Sequence, residues 1–461
     1  MLHRRDAMIR LGQAGLGALA LPNLLRAEQA LATPALKPRA KSCILLYLWG
    51  GPPQQDMWDL KPEAPEGIRS QFQPIDTVTP GVQISDQLPK TAGHTDKMAI
   101  IRSYTHESNV HEASVYHTLT GKVNNTLVVP RNQRSRNDAP NAGAVVSYFK
   151  PRGAMPAAVT IPSPIGHDGV TYAGTYAGFL GAQHDPLELK PPGEVDKAPP
   201  HSLDLLEGID STRLQARFGL LELLEQHDRV VQRRGSSGGG GLEQFREQAF
   251  RMLASPEARG AFELERESDA MRDAYGRNEY GESFLLARRL IESGVRLVTV
   301  VWSYLCPDGN VANVWDNHGG TASLGGIGGY AMLKEKYCLP PLDLAYSALL
   351  ADLQARGLLD ETLVVMLGEF GRTPQINKNQ GRDHWGACQS VVLAGGGIRG
   401  GQVYGSSDRH AAYPRDNPVS PEDLIATMYH ALGIPPESLV HDRENRPHRI
   451  SEGRPLVELF G

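Results

Sequence analysis

The stretch from Thr362 to Leu393 reads TLVVMLGEFGRTPQINKNQGRDHWGACQSVVL and decides the fold that we expect for this chain. Residues 363–367 are apolar and include adjacent β-branched valines, which predicts a buried strand that ends at Gly368. Glu369 follows directly, so a carboxylate lies at the carboxyl end of that strand, where ligands gather in open α/β sheets. A second apolar run over 390–394 returns the chain to the sheet. The stretch therefore predicts an α/β protein with a polar site at one edge of its sheet.

The loop between these two apolar runs carries further candidate site residues. Arg372, Arg382, Asp383 and His384 follow Glu369 within it, so acid–base and metal-ligand chemistry are both open. The alternative is structural, because Glu369 can pair with Arg372 and an Asp–His pair is common in capped loops.

Two other apolar runs of strand length end in polar residues of the same kind. Residues 42–49 lead through two glycines to Asp56 and Asp59, and residues 295–302 lead to Asp316 and His318. Asp316 and His318 are two positions apart, so they point to the same side of an extended backbone and suit one metal ion. The alternatives are a helix-capping role for Asp56 or Asp59 and a hydrogen-bonded Asp316–His318 pair.

A further short strand over 97–102 precedes the densest polar cluster of the chain. His106, Asn109 and His111 lie in its loop, and residues 113–119 predict a helix that ends at Thr120 and Gly121. Helix N-termini present free N–H groups, so we expect His111 and Ser114 to lie where an anionic group binds. The alternative is a capped helix with solvated histidines.

The composition excludes several classes of protein. The chain has 461 residues, of which 40% are hydrophobic and 21% charged, and its net charge is -5. This describes a protein with ample core, and the negative charge argues against nucleic acid as the main partner. A small anionic substrate needs only a local positive site and remains compatible with this composition.

The first 32 residues predict a targeting segment. Arg4 and Arg5 precede a mildly apolar, glycine-rich stretch over 11–21, and an Ala-Leu-Ala cleavage site ends at Ala32. The stretch is too short for a stable membrane span and resembles a twin-arginine export signal, which predicts a periplasmic or secreted protein. The alternative is an amphipathic N-terminal helix.

Between residues 202 and 293 the apolar residues recur with helical spacing, interrupted by a glycine- and serine-rich linker over 235–241. We expect a helical insertion in a domain that spans 41–461, the alternative being a coiled dimerisation arm. Four cysteines are present, and a Cys306–Cys338 disulfide around the loop of Asp316 is a further hypothesis.

Strands that alternate with helices and place acids and imidazoles at successive carboxyl ends are typical of a metal-centred α/β hydrolase. Oxygen and nitrogen ligands suit zinc, manganese, magnesium or calcium without separating them.

Several blocks together resemble one exported family, catalogued as domain of unknown function 1501. They are LLYLWGGPPQQDMWD (45–59), HESNVHEASVYHTLTGK (106–122), LLARRLIESGVRLVTVVW (285–302), WDNHGG (315–320), GEFGRTP (368–374), GRDHWG (381–386) and HDRENRPHRISEGRPL (441–456). The resemblance implies an alkaline-phosphatase-like, sulfatase-like three-layer sandwich with a central, mostly parallel sheet. It also implies metal-dependent hydrolysis of sulfate or phosphate esters, with a sulfated glycan as one candidate substrate.

Carried over position by position, the resemblance implies roles for individual residues. The implied metal ligands are Asp56, Asp316, His318, Glu369 and His384. His111 and Ser114 are implied to lie near the reacting group, and Arg372 or Arg382 to hold its oxygens.

Two positions depart from the superfamily pattern. Phe370 stands where a ligand of a second metal ion is usual, and His111 stands where sulfatases carry a cysteine or serine nucleophile. The alternative function is therefore a secreted, non-catalytic binding or scaffold protein that retains the fold.

Overall fold

An eight-stranded sheet forms the centre of the protein in a computed structural model. The structure describes residues 37–124, 134–150, 153–167, 170–189, 210, 212–221, 240–306 and 311–461. The strands of the sheet are β1 (Ser42–Tyr47), β2 (Met98–Tyr104), β3 (Ala158–Ile161), β4 (Leu187–Glu188), β5 (Leu297–Val301), β6 (Thr362–Leu367), β7 (Gln389–Ala394) and β8 (Gln402–Tyr404). The predicted strand of the opening stretch is β6, and every one of its six residues is buried.

The spatial order of the strands is β8-β2-β7-β6-β1-β5-β3-β4. Every neighbouring pair is parallel except the two pairs that contain β7, which runs antiparallel to β6 and β2. The prediction of a mostly parallel sheet is confirmed. Because β7 runs in the opposite direction, its first residues lie at the edge where β1, β2, β5 and β6 end.

Alternating side chains of the strands feed two separate cores, one on each face of the sheet. In β1, Ile44 and Leu46 pack into one buried cluster, whereas Cys43, Leu45 and Tyr47 pack into the other. This alternation follows from the two-residue period of a strand. Helices cover both faces, so the predicted three-layer α/β sandwich is confirmed.

The helices divide between the two faces. The longer ones are α1 (His111–Thr120), α2 (Ala142–Phe149), α3 (Gly240–Ala254), α4 (Pro256–Ala261), α5 (Asp269–Tyr275), α6 (Glu279–Glu292), α7 (Gly329–Lys334), α8 (Leu339–Ala355) and α9 (Pro421–Ala431). Apolar residues of α6 and α8 share the first core, and those of α1, α2 and α9 share the second. Ser420 caps α9, with Asp423 completing the capping box that its sequence spells out.

Short elements complete the fold. Single-turn helices span Gln54–Met57 and Pro89–Ala92, and a further helix covers 212–221. Two-stranded ribbons pair Pro74–Asp76 with Gln83–Ser85, Gly166–His167 with Val170–Thr171, Tyr304–Leu305 with Val311–Ala312, Gly371–Ile376 with Arg382–Trp385, Ser406–Ser407 with Pro414–Asp416, and Leu439–His441 with Pro447–Arg449. The loop expected after Glu369 is thus a hairpin, and we call it the 371–385 hairpin.

The predicted helical insertion over 202–293 contains helix 212–221 and the four helices α3 to α6 in its described part. The last of these, α6, is part of the main domain, since Phe284, Leu286 and Leu290 lie in the same core as β1 and β5. The first 32 residues, with the predicted export signal, lie outside the described residues. Among the described helices, none is long and apolar enough to cross a membrane.

The predicted Cys306–Cys338 disulfide is wrong. None of the four cysteines forms a disulfide, and all four are buried. The Cys338 thiol donates a hydrogen bond to the carbonyl oxygen of Val314 at 3.3 Å. Burial raises the pKa of the Cys338 thiol well above its ordinary value, so it behaves as a small packed side chain.

Candidate metal centre

Polar side chains from four segments meet at the edge of the sheet where β1, β2, β5 and β6 end. Glu369 follows β6, His111 begins α1 in the connection after β2, Asp316 and His318 follow β5, and His384 lies in the 371–385 hairpin. Carboxyl ends of parallel strands share one edge, which is why residues so distant in sequence become neighbours.

Asp316 lies at the centre of this group. Its Oδ1 is 3.0 Å from Nε2 of His384 and 2.8 Å from Nη2 of Arg372. Its Oδ2 is 3.1 Å from Nε2 of His318 and 3.3 Å from Nε2 of His111. One carboxylate is therefore surrounded by three imidazoles and one guanidinium.

Each of the three imidazoles is held at its other nitrogen by an acceptor. Nδ1 of His111 lies 2.6 Å from Oε1 of Glu369, whereas Nδ1 of His384 lies 3.1 Å from the carbonyl oxygen of Asn109. Nδ1 of His318 lies 2.9 Å from the carbonyl oxygen of Gly319. These acceptors favour the tautomer with the proton on Nδ1, so that every Nε2 is presented to the region around Asp316.

Glu369 is oriented by the backbone of the loop after β1. Its side chain is fully buried, and both oxygens lie 3.0 Å from the backbone nitrogen of Gly50, which donates to them. Gly50 has φ of 122°, and a Cβ at this position would lie 2.2 Å from the backbone nitrogen of Asp316. Only glycine fits there, so the Gly50 turn brings Glu369 and the loop of Asp316 together.

The electrostatics of the group follow from these contacts. Burial alone would raise the pKa of Asp316, but Arg372 and the three imidazoles hold it well below its usual range. Burial alone would lower the pKa of His111, but the carboxylates of Asp316 and Glu369 outweigh it and raise this pKa to about 9. The hydrogen bond to Asp316 likewise raises the pKa of His318. Asp316 is therefore an anion at neutral pH, as a metal ligand must be.

His111, Asp316 and His384 form the group in the described chain that could hold a metal ion, since one ligand atom from each lies within 4.8 Å of the others. Two imidazole nitrogens and a carboxylate oxygen are a donor set that divalent transition ions accept. We call these three residues the His–Asp–His cluster, and Nε2 of His318 lies beside it.

The predicted ligand Asp56 lies elsewhere. It is fully buried, and its oxygens accept from Arg382 Nε at 2.8 Å and from the hydroxyls of Ser70 and Tyr330, both at 2.6 Å. These donors surround the carboxylate, so Asp56 is one half of a buried ion pair in this structure, and its role as a metal ligand stays a prediction. Neither Tyr330 nor Ser70 carries a sequence signal that would have revealed this arrangement.

Both predicted anion-binding arginines are also committed to the protein. Arg372 is fully buried and donates to the carbonyl oxygens of Gly50, Gly51, Trp315 and Arg382, as well as to Asp316. Arg382 is fully buried and donates to Asp56, Tyr330 and three carbonyl oxygens. Both guanidinium groups are therefore bonded to groups of the protein, and their role as substrate contacts stays a prediction.

The structure also places three other residues that the sequence analysis singled out, namely Ser114, Asp383 and Phe370. The Ser114 hydroxyl is buried and donates to the carbonyl oxygen of Ser108 at 3.2 Å. Asp383 is exposed and accepts from Nδ2 of Asn377 at 2.8 Å. The buried Phe370 ring lies 4.5 Å from the His384 ring and 4.9 Å from the His111 ring between centroids.

His106 supports the site from behind, although sequence reasoning gave it no role of its own. Its Nε2 lies 2.6 Å from the carbonyl oxygen of Glu369, and its Nδ1 accepts the backbone N–H of Ser108 at 3.2 Å. Burial lowers the pKa of His106 to about 4, so the neutral ring ties the loop before α1 to the end of β6.

A family model described as "Protein of unknown function (DUF1501)" matches residues 40–460. A search of the curated proteins finds no match for this chain.

Among solved structures, the chain is similar to the PsFucS1 sulfatase from Pseudoalteromonas sp., with 12% identity and a TM-score of 0.37 over 93% of this chain and 72% of that one. It is similar to Ps i-CgsB in complex with k-i-k-neocarrahexaose, with 12% identity and a TM-score of 0.39 over 90% of this chain and 75% of that one. It is also similar to the phosphonate monoester hydrolase SpPMH from Silicibacter pomeroyi, with 14% identity and a TM-score of 0.35 over 81% and 71%.

Proposed function

The chain belongs to the family described as Protein of unknown function (DUF1501), and from its own site we propose that it is an exported, metal-dependent hydrolase of sulfate or phosphate esters. The proposed ion is held by the His–Asp–His cluster, and His318 is a candidate fourth ligand. The proposed substrate is a small anionic ester, for which a sulfated glycan is one candidate source.

The orientation of the imidazoles carries this proposal. His111, His318 and His384 each have Nδ1 beside an acceptor, and each has Nε2 within 3.3 Å of an oxygen of Asp316. A histidine that ligates metal through Nε2 commonly donates its Nδ1–H to a carboxylate or carbonyl. In this arrangement Glu369 is the acceptor that orients His111, and it is no longer proposed as a direct ligand.

The donor set narrows the choice of ion. Magnesium and calcium prefer sites built from oxygen atoms, whereas imidazoles suit zinc and other transition ions. Three imidazoles and a single carboxylate therefore favour zinc or a similar transition ion over magnesium and calcium.

When bound, a divalent ion would supply positive charge against the oxygens of the ester and make a water molecule a better nucleophile. The protein residues orient the ligands and balance their charge. Glu369 fixes the His111 ring, and Arg372 balances part of the charge of Asp316 through its 2.8 Å contact. The Ser114 hydroxyl is buried and bonded to Ser108, so we propose water as the attacking group.

We propose a single ion per chain. Phe370 packs on His111 and His384. The Asp56 carboxylate is paired with Arg382, and the Glu369 carboxylate is hydrogen-bonded to the Gly50 N–H and to His111. A second ion would need oxygen or nitrogen donors in the space that the phenyl ring fills.

The test is metal analysis of the purified mature chain together with assays on an aryl sulfate and an aryl phosphate. We expect one transition ion per chain and turnover of at least one ester. His384→Ala should remove both, whereas the matched control His448→Ala removes a histidine that pairs with Asp442, away from the cluster, and should keep both. A chain that neither retains an ion without chelator nor takes one up on reconstitution would refute the proposal.

The second candidate function is a secreted binding or scaffold protein that retains the metal site. Two observations favour it: Arg372 and Arg382 donate hydrogen bonds to groups of the protein, and the Ser114 hydroxyl donates to the carbonyl oxygen of Ser108. A bound ion without turnover of either ester would select this function.

A further inference from the structure

A groove lies at the tip of the 371–385 hairpin, outside the metal centre. Its volume is about 650 Å³, within the range of small-molecule binding sites. One wall is formed by the segment after helix Gln54–Met57 and the other by the hairpin tip, including Ile376, Asn377 and Gln380. We call it the Arg69 groove, after the cation on its first wall.

The floor and the walls of the groove are held together by contacts within the protein. Ser70, which lines the groove, donates to the buried Asp56, and the Phe72 ring packs at 5.2 Å on the ring of Tyr330. The two walls are joined by a hydrogen bond from the Ile376 backbone nitrogen to the Gly67 carbonyl oxygen at 2.8 Å. A preorganised surface of this kind loses little entropy when it binds.

The lining combines amide side chains with apolar surface. Gln71 and Gln73 stand on the first wall, and Nε2 of Gln71 donates to Oε1 of Gln380 at 3.0 Å across the groove. Amides offer both donors and acceptors, which matches hydroxyl groups, since each hydroxyl also donates and accepts. Leu60, Pro62 and Pro74 offer the apolar surface that the C–H faces of a sugar ring require.

The positive charge available to a ligand in the groove is concentrated at one residue, Arg69. Nζ of Lys61 is paired with Asp59 at 2.9 Å, whereas the exposed Arg69 has no side-chain hydrogen bond or ion pair with any residue in the described ranges. Glu66 lies on the same wall, so the groove is not uniformly positive. This distribution suits a ligand with one anionic substituent at Arg69 better than a polyanion.

The same hairpin connects the groove with the metal centre. Arg372 and His384 lie at its base beside Asp316, and Ile376 lies near its tip. Four residues of strand span about 13 Å, so the groove lies within reach of a ligand longer than one sugar ring. Nδ2 of Asn377 also donates to the carbonyl oxygen of His318 at 3.0 Å, which fixes the tip against the loop of the cluster.

We infer that the Arg69 groove binds a saccharide that carries a single anionic substituent. The amides, with Leu60, Pro62 and Pro74, hold the sugar, and the Arg69 guanidinium holds the anionic group. The groove is a binding site separate from the metal centre, so the inference goes beyond the proposed function, and the binding itself needs no metal ion.

The test is titration of the mature chain and its His384→Ala variant with a monosulfated disaccharide and with its unsulfated parent, followed by calorimetry or NMR at low ionic strength. We expect the sulfated disaccharide to bind both proteins equally and more tightly than the parent. Arg69→Ala should weaken its binding about tenfold and leave the parent unaffected, since a charge-assisted hydrogen bond is worth about one power of ten. Arg449→Ala, an exposed arginine on the ribbon Leu439–His441/Pro447–Arg449, should change nothing.

Either of two results would overturn the inference: no binding of the sulfated disaccharide, or equal binding by the Arg69→Ala variant. The proposed hydrolase activity and the proposed groove binding are refuted by different results. If aryl esters are turned over while the disaccharide does not bind, only the groove is refuted; if the disaccharide binds while no ester is hydrolysed, only the hydrolase is refuted.

Discussion

Substitution of Asp56 distinguishes a structural role of this residue from a metal-binding role, because Asp56 forms a buried ion pair with Arg382. Both side chains are fully buried, and Arg382 donates to the two oxygens of Asp56 at 2.8 and 3.2 Å. Asp56→Ala would leave the guanidinium buried without a counter-charge. Loss of one partner of a buried pair costs about 3–5 kcal/mol.

This free energy converts into a change of melting temperature. For a chain of 461 residues the entropy of unfolding is about 1 kcal/mol/K, so we expect Asp56→Ala to lower Tm by about 3–5 °C. Scanning calorimetry measures the shift, and metal analysis of the same sample should show an unchanged ion content.

Two controls complete the experiment. Glu361→Ala removes an exposed ion pair with Lys41, and the shift in Tm should stay below about 1 °C because such pairs contribute little. The double variant Asp56→Ala/Arg382→Met removes both charges and should recover part of the lost stability. If Asp56→Ala instead lost the ion while its Tm stayed at the wild-type value, Asp56 would be a ligand and the structural assignment would be refuted.

The other predictions concern the metal centre, the helix layer and the cysteines. His318→Ala should lower metal content without a loss of fold; unchanged content would remove His318 as a ligand. The wild-type chain should bind one equivalent of zinc in equilibrium titration, since Phe370 fills the neighbouring space, and a second tight equivalent would contradict this. Burial would raise the pKa of Glu422, but its 2.8 Å hydrogen bond with His117 outweighs it and lowers that pKa. The stability that Glu422 contributes is therefore present above its unfolded-state pKa and is lost as pH falls through its lower folded-state pKa. In denaturant unfolding at a series of pH values, Glu422→Gln should reduce the loss of unfolding free energy at acid pH. An unchanged loss would argue against the Glu422–His117 pair. Thiol titration of the unfolded chain without reductant should count four free thiols, whereas two would restore a disulfide.

The sequence was most informative where a local pattern dictates structure. The apolar run before Gly368 became β6, the Ser420 capping box begins α9, and Glu369 lies at the strand end that its position indicates. Such features depend on neighbours within a few residues, so periodicity and capping chemistry are sufficient to predict them.

The sequence was least informative about the partners of its charged residues. Arg382 and Asp56 are 326 positions apart, so no spacing rule relates them. The same holds for Nδ1 of His111 and Glu369, 258 positions apart. A strand-end aspartate therefore looks the same in the sequence whether its partner is an ion or an arginine.

By itself, the sequence determined the α/β layering, the five strands β1, β2, β5, β6 and β7, and the edge at which the polar residues gather, because these follow from hydrophobic period and strand direction. Only the tertiary structure decided which of those residues form a cluster, which ring nitrogen each histidine presents, and that Asp56, Arg372 and Arg382 are buried and bonded to groups of the protein. The physical reason is that burial and pairing are properties of three-dimensional neighbours: a buried charge is stabilised by whichever group the fold places within hydrogen-bond distance.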